Sequence, residues 1–193
     1  MDWAWAEPDG TFGNRYDDPE SRYRVLYASS QRLGCYLETL ARFRPDPALA
    51  AELDQIKGEN DFFPLGHVPA EWFGARLIGR AGFWGHYADI CGSEWIGRLR
   101  VELGPRLFAQ FGIKDLDQSA LQASCPRKLT QLVSRAVFNS GLDGVRYPSK
   151  HGHEIENWAL FEPFKIEVKS ADPIFLDDPD LAKALHLLRV AIA

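Results

Sequence analysis

Residues 12–40 read FGNRYDDPESRYRVLYASSQRLGCYLETL. The stretch passes from a polar, turn-rich opening through a β-branched and aromatic run to a segment of helical period. Arg24-Val25-Leu26-Tyr27-Ala28 predicts a short strand. Ser29 or Ser30 can cap a helix running to about Phe43, with Leu33, Leu37 and Leu40 on one stripe, and Pro45 and Pro47 end it. Glu38 follows Leu37 about 100° round the helix, on a different face. A strand handed at once to a helix puts Tyr27 and Glu38 near one corner of the fold.

Outward from this unit, strands and helices continue to alternate. Residues 1–20 read as loop, with Trp3 and Trp5 as anchors. The chain predicts a helix over 48–57, then a loop and an extended segment after Phe62. Further strands are expected over 72–78 and around Gly82-Phe83-Trp84, and the stretch 94–111 has mixed character. Residues 129–139 carry Leu132, Val133, Ala136 and Val137 at helical spacing and are stopped by Ser140-Gly141. Strands are expected at 144–149, closed by Pro148, and at 156–161 and 164–168. Asp178-Pro179 opens a C-terminal amphipathic helix over 179–192. The expectation is one compact α+β domain over residues 1–193, with a mixed, mostly antiparallel sheet flanked by helices.

Composition narrows the function classes. The chain has 193 residues, of which 46% are hydrophobic and 25% charged, the profile of a soluble globular protein. A net charge of −5 supplies no surplus of cations for direct nucleic-acid binding. The three cysteines, Cys35, Cys91 and Cys125, lack metal-ligand spacing and suggest a reducing, cytoplasmic setting. No apolar run has the length of a membrane span, and the N-terminus lacks the pattern of a signal peptide. The GxGxxG, GxxxxGK[ST], HExxH and GxSxG motifs are all missing. His151 and His153 form an H-x-H pair without carboxylates to complete a metal set, so no metal is expected.

Three residues of the opening stretch have chemistry that converges. Arg15 offers a planar fork for phosphate, Tyr27 a ring that can stack on a flat heterocycle, and Glu38 a carboxylate for a developing positive charge on a sugar. Each also has a structural reading: Arg15 pairing with Asp17 or Asp18, Tyr27 as a core aromatic, Glu38 pairing with Arg42 one turn on. Together they suggest a site for a dinucleotide whose glycosidic bond is attacked.

In their order, GNRYDDP, YRVLYASS and LETLARF, then GLDGVRYPSKHG and ENWALFEPF, the blocks resemble the RES domain family. The resemblance is clear over 12–43 and 141–164, and the region 62–126 carries no motif of it. It implies an ADP-ribosyltransferase-like fold and a bacterial toxin of a toxin–antitoxin pair that consumes NAD+ as substrate, by hydrolysis, phosphorolysis or ADP-ribosyl transfer. The implied partner is an antitoxin with an Xre-like helix-turn-helix. Carried over by residue, Arg15 matches the arginine of the Gly-x-Arg motif, Tyr27 the tyrosine of the next strand and Glu38 the glutamate of the following helix. These three are the expected catalytic residues. Arg15 and Tyr27 also bind the dinucleotide, with Ser149, or Thr130 in its place, for the family serine.

Family members usually carry a further arginine well ahead of the Gly-x-Arg motif, and residues 1–13 hold none. The readings left open are an upstream segment, a substitute among Arg22, Arg24 and Arg146, or a weakened or inactive partner-binding member. The oligomeric state, with a homo-oligomer among the options, is also open.

Overall fold

Residues 13–45, 47–48, 52, 66–123 and 127–193 are those that the computed structural model describes. The expectations for Trp3 and Trp5, for the helix over 48–57 and for the loop at 62–65 fall wholly or mostly outside them. In chain order the elements begin with β1 (Val25–Ser29), α1 (Arg32–Leu40) and a 3-10 turn Ala41–Phe43, then β2 (Gly66–Val68) and α2 (Ala70–Gly74). Next come β3 (Leu77–Phe83), β4 (Tyr87–Asp89), α3 (Ser93–Phe111), α4 (Gln118–Gln122) and α5 (Arg127–Asn139). The chain then runs through β5 (Gly144–Ser149), β6 (Gly152–Phe161), β7 (Ile166–Pro173), α6 (Pro179–Leu188) and β8 (Val190–Ile192). Helices and strands interleave in an α+β architecture. The chain divides into two compact units, Met1–Ser30 with Phe83–Ile166, and Gln31–Gly82 with Glu167–Ala193.

The first unit is organised by a four-stranded sheet in the order β1-β6-β5-β4. The β1–β6 and β5–β6 pairs are antiparallel and β4–β5 is parallel, giving the expected mixed sheet. Register places Tyr27 opposite Ala159, Ala159 opposite Val145, and Tyr147 opposite Asn157. Residues paired across a sheet share a face and alternate along each strand. Tyr27, Val145, Tyr147 and Ala159 therefore face one way, the way of the core, where Val145 and Ala159 are fully buried. Against them pack Leu129, Val133 and Val137 of α5 and the stripe Leu99, Leu103, Leu107 of α3. Gly144 takes φ +154°, and a Cβ there would lie 2.3 Å from the Ala159 carbonyl oxygen, so this strand start tolerates only glycine.

In the second unit, α1 buries Leu33, Tyr36, Leu37 and Leu40, and α6 buries Leu181, Ala184 and Leu188. The two helices pack together on these stripes. Asp178 caps α6, accepting from the Asp180 amide at 2.9 Å, and it also takes an Arg32 guanidinium N–H at 2.7 Å and the Tyr36 hydroxyl at 3.0 Å. Two small sheets complete the unit: β2 with β8, in parallel, and β3 with β7.

Several boundaries depart from expectation for local reasons. The helix after β1 starts from Gln31, because Ser29 and Ser30 both hydrogen-bond the backbone of Glu156 on β6. The strand expected over 72–78 is in its first half the helix α2, started by Pro69, and β3 opens only at Leu77. The mixed stretch 94–111 is one helix. Pro105 removes the hydrogen bond to the Val101 carbonyl, but the Val101 side chain is 84% exposed, so that carbonyl lies on the watered side. The helix expected over 179–192 ends at Leu188. Arg189 turns left-handed at φ 55°, and Val190 and Ile192 are recruited as a strand beside β2. Among the described residues no helix is long and apolar enough to cross a membrane.

Replacing Asp178 by Ala is expected to destabilise the protein by about 2–3 kcal/mol in urea unfolding, from the lost cap and the stranded partners. Burial alone would raise this carboxyl, but Arg32, the Asp180 amide and Tyr36 outweigh it and hold it below the ordinary range. Its contribution is therefore present above roughly pH 4 and lost as pH falls through the lower folded value. The gap between wild type and Asp178→Ala should close in acid, and a gap constant down to pH 2 would contradict the assignment.

Candidate functional site

The loop Gly13–Asp18 carries Arg15, and its conformation is imposed from two sides. From β1, the Tyr27 hydroxyl accepts the Tyr16 amide at 2.9 Å and donates to Asp17 Oδ1 at 2.9 Å. Asp17 closes the turn by also accepting the Asn14 amide at 2.9 Å. From α5, Gln131 donates to the Asn14 carbonyl at 3.3 Å, and Ser134 to the Tyr16 carbonyl at 2.6 Å. Arg127 binds the Gly13 carbonyl and Arg135 the Asp18 carboxylate. Residues 127, 131, 134 and 135 fall on one face at helical spacing, so a single polar face of α5 grips the loop.

Held in this way, the Arg15 guanidinium lies 5.7 Å from the centre of the Tyr16 ring and 5.8 Å from that of Tyr147. The Tyr16 and Tyr147 rings meet at 4.6 Å with a 50° tilt. One terminal nitrogen of Arg15 donates to the Leu121 carbonyl. Its Nε is buried and has no hydrogen-bond partner among the described residues. A buried guanidinium N–H without an acceptor marks a place where an acceptor is wanted.

Tyr27 has two distinct ends. Its side chain is 36% exposed, while its hydroxyl is enclosed between the buried Tyr16 amide and Asp17, which is only 4% exposed. The exposure thus belongs to the ring, on the edge strand β1. Burial first, and then the Asp17 charge, push the phenol well above its usual value, so it stays protonated and donates. Asp17 is itself pushed up by burial, partly offset by the bond from Tyr27.

Ser149 closes β5 two residues after Tyr147, where the β5–β6 register shifts between Pro148 and Ser149. Ser149 is 3% exposed, and its oxygen accepts the His151 amide at 3.1 Å in the turn between β5 and β6. Thr130 is 2% exposed, and its hydroxyl donates to the Arg127 carbonyl of its own helix at 3.0 Å. The first unit thus sets Arg15 against Tyr147, on the sheet face that Tyr27 shares, buries Ser149 at the end of β5, and turns the Thr130 hydroxyl back onto α5. Glu38 belongs to the second unit, on the exposed side of α1 opposite the leucine stripe.

The three substitutes considered for an upstream arginine have other engagements. Arg22 pairs with Glu20 at 2.5 Å and Arg24 with Glu162 at 3.5 Å. Arg146 alternates to the face of β5 opposite Tyr147, which argues against a place beside the Arg15 stack. There it binds Asp89 at 2.7 Å and also Glu156. These three line a cleft of about 200 Å³ with Cys91, Gly92, Pro148 and His153. Burial and the Asp89 charge push the Cys91 thiol up to about 11, against the opposing effects of Arg15 and Arg146. Cys91 is therefore a protonated thiol at neutral pH and a poor nucleophile.

The sequence reading missed the α5 grip. Its trace is the pattern Arg127, Gln131, Ser134, Arg135, a polar stripe on a helix whose other face is apolar.

The family model described as the RES domain matches residues 96–180. The match agrees with the resemblance read from the sequence and is consistent with assignment of the chain to the RES domain family. It contains α5, β5 and β6, and with them Ser149, Thr130 and the α5 side of the grip on the Arg15 loop. It also takes in residues 96–126, where the sequence reading recognised no motif, while Arg15, Tyr27 and Glu38 precede it. No curated protein and no solved structure matches the chain.

Changing Tyr27 to Phe keeps the ring and removes the anchor, leaving the Tyr16 amide and a buried carboxylate short of a partner. The expected cost is about 1–3 kcal/mol in chemical denaturation. A cost below a few tenths of a kcal/mol would show that the hydroxyl does not anchor the loop.

Proposed function

We propose that this protein consumes NAD+ by breaking the bond between nicotinamide and ribose, as the toxin of a toxin–antitoxin pair. The observation that carries the reading is Arg15: a guanidinium on a loop fixed from both sides, one of them by the Tyr27 hydroxyl, with a buried Nε that has no acceptor among the described residues. A pyrophosphate oxygen supplies such an acceptor, and a nicotinamide ring suits an aromatic face. The RES match over 96–180 supports the same class.

In this reading Arg15 holds the pyrophosphate, the Tyr27 ring stacks on nicotinamide and Ser149 hydrogen-bonds the dinucleotide. Glu38 enters through the resemblance, as the carboxylate that stabilises the oxocarbenium-like ribose. The C1′–N bond breaks with its electron pair leaving on the nicotinamide nitrogen. A new C1′–O bond forms to water, to inorganic phosphate or to an acceptor side chain, whose proton passes to solvent. Nicotinamide is a sufficient leaving group for positioning and charge stabilisation to drive the step. The toxin acts in the cytoplasm, and its partner is an antitoxin with an Xre-like helix-turn-helix.

Purified protein incubated with NAD+ should release nicotinamide, and Arg15→Ala and Glu38→Ala should each lower kcat/KM by about 100-fold or more. A dependence on inorganic phosphate assigns phosphorolysis, and label transferred to protein assigns ADP-ribosylation. Release no faster than from Glu38→Ala would sink the enzymatic reading. In cells, expression of the chain alone should arrest growth and Glu38→Ala should not; equal growth with both would count against toxicity.

A further inference from the structure

Ser134 uses its hydroxyl in two buried hydrogen bonds, and the enzymatic reading assigns it no task. It is fully buried, receives the Tyr23 hydroxyl at 2.7 Å and donates to the Tyr16 carbonyl at 2.6 Å. The Tyr16 carbonyl can only accept, so the single Ser134 proton is committed to it and Tyr23, whose phenol burial pushes up to about 12, donates to Ser134. The relay therefore has one polarity: Tyr23 to Ser134 to the Tyr16 carbonyl.

Tyr16 directly follows Arg15. Its amide is held by Tyr27 and its carbonyl by Ser134, so the peptide links on both sides of the residue are pinned. One turn earlier on α5, Gln131 pins the Asn14 carbonyl, which belongs to the peptide leading into Arg15. The Arg15 backbone thus lies between two carbonyls held by α5. Its guanidinium can then stay over the Tyr16 and Tyr147 rings with no carboxylate among the described residues to hold it.

We propose that Ser134, supported by Gln131, is a positioning residue that aims the Arg15 guanidinium. In the enzyme, on which this rests through the proposed function, it sets the affinity for the dinucleotide's pyrophosphate without touching it. Loss of the Ser134 hydroxyl frees the Tyr16 carbonyl, loosens the loop and lets Arg15 leave the aromatic stack.

The test uses the full chain as wild type, Ser134→Ala and Gln131→Ala. Arginines are modified with phenylglyoxal below the unfolding temperature of each variant, and the rate at Arg15 is followed by mass spectrometry against the exposed Arg106. Arg15 modification should rise about threefold or more in Ser134→Ala and less in Gln131→Ala, with Arg106 unchanged. Unchanged Arg15 rates overturn the positioning role, and if Ser134→Ala does not fold, Gln131→Ala alone decides. This readout needs no turnover. Failure of the enzymatic reading appears instead as absent nicotinamide release by wild type.

Where wild type turns over NAD+, Ser134→Ala should raise KM about fivefold with kcat nearly unchanged. Added to Arg15→Ala it should change nothing further, because its effect passes through Arg15. Additive losses in the double variant would overturn the proposal.

Discussion

Both polar groups of the Tyr16 backbone are taken by side chains, the amide by Tyr27 on β1 and the carbonyl by Ser134 on α5. The residue is fully buried, so water cannot substitute for either. A buried backbone with two side-chain partners fixes the loop against a strand on one side and a helix on the other. The direction of Arg15, the tilt of Tyr16 on Tyr147 and the pairing of Arg135 with Asp18 all follow from that one residue being held.

How much of this is legible in sequence depends on how local each cause is. The strand at 144–149 and the helix over 129–139 are written in runs of apolar residues at their own period, and both form as expected. The identity of α3 as one helix is harder to read, because Pro105 counts against it. What rescues it is exposure at Val101, a property of the packed molecule. Arg189 is similar: a left-handed arginine is not foreseeable from Leu188 and Val190, and only pairing with β2, more than a hundred residues earlier, explains it. The serines after β1 look like caps in sequence and are instead claimed by Glu156, again a partner far along the chain.

The candidate site divides the same way. Arg15, Tyr27 and Glu38 are legible one by one as chemistry and jointly as a resemblance. The arrangement around Arg15 is not, since it is assembled from side chains more than a hundred positions apart. Strand alternation also separates two arginines that look equivalent in sequence. Arg15 stacks beside Tyr147 on the core side of the sheet, whereas Arg146, next to Tyr147 in the chain, is turned to the other face and neutralised by Asp89 and Glu156. A cation already holding two carboxylates is a poor recipient for a third anion, whereas the Arg15 Nε has no hydrogen-bond partner among the described residues. That contrast is the physical ground on which Arg15, rather than Arg146, is proposed to hold the pyrophosphate.

The bond from Ser134 to Tyr16 spans 118 residues. On a ribosome adding about 5–20 residues per second, the loop emerges roughly 6–24 s before the helix that will hold it. Through that interval neither α5 nor β6, the strand on which β1 and its Tyr27 pair, is there to hold the loop. The Arg15 loop is therefore among the first parts of the first unit to be made and among the last to become fixed. A nascent chain carries the arginine long before it carries the geometry that makes the arginine useful.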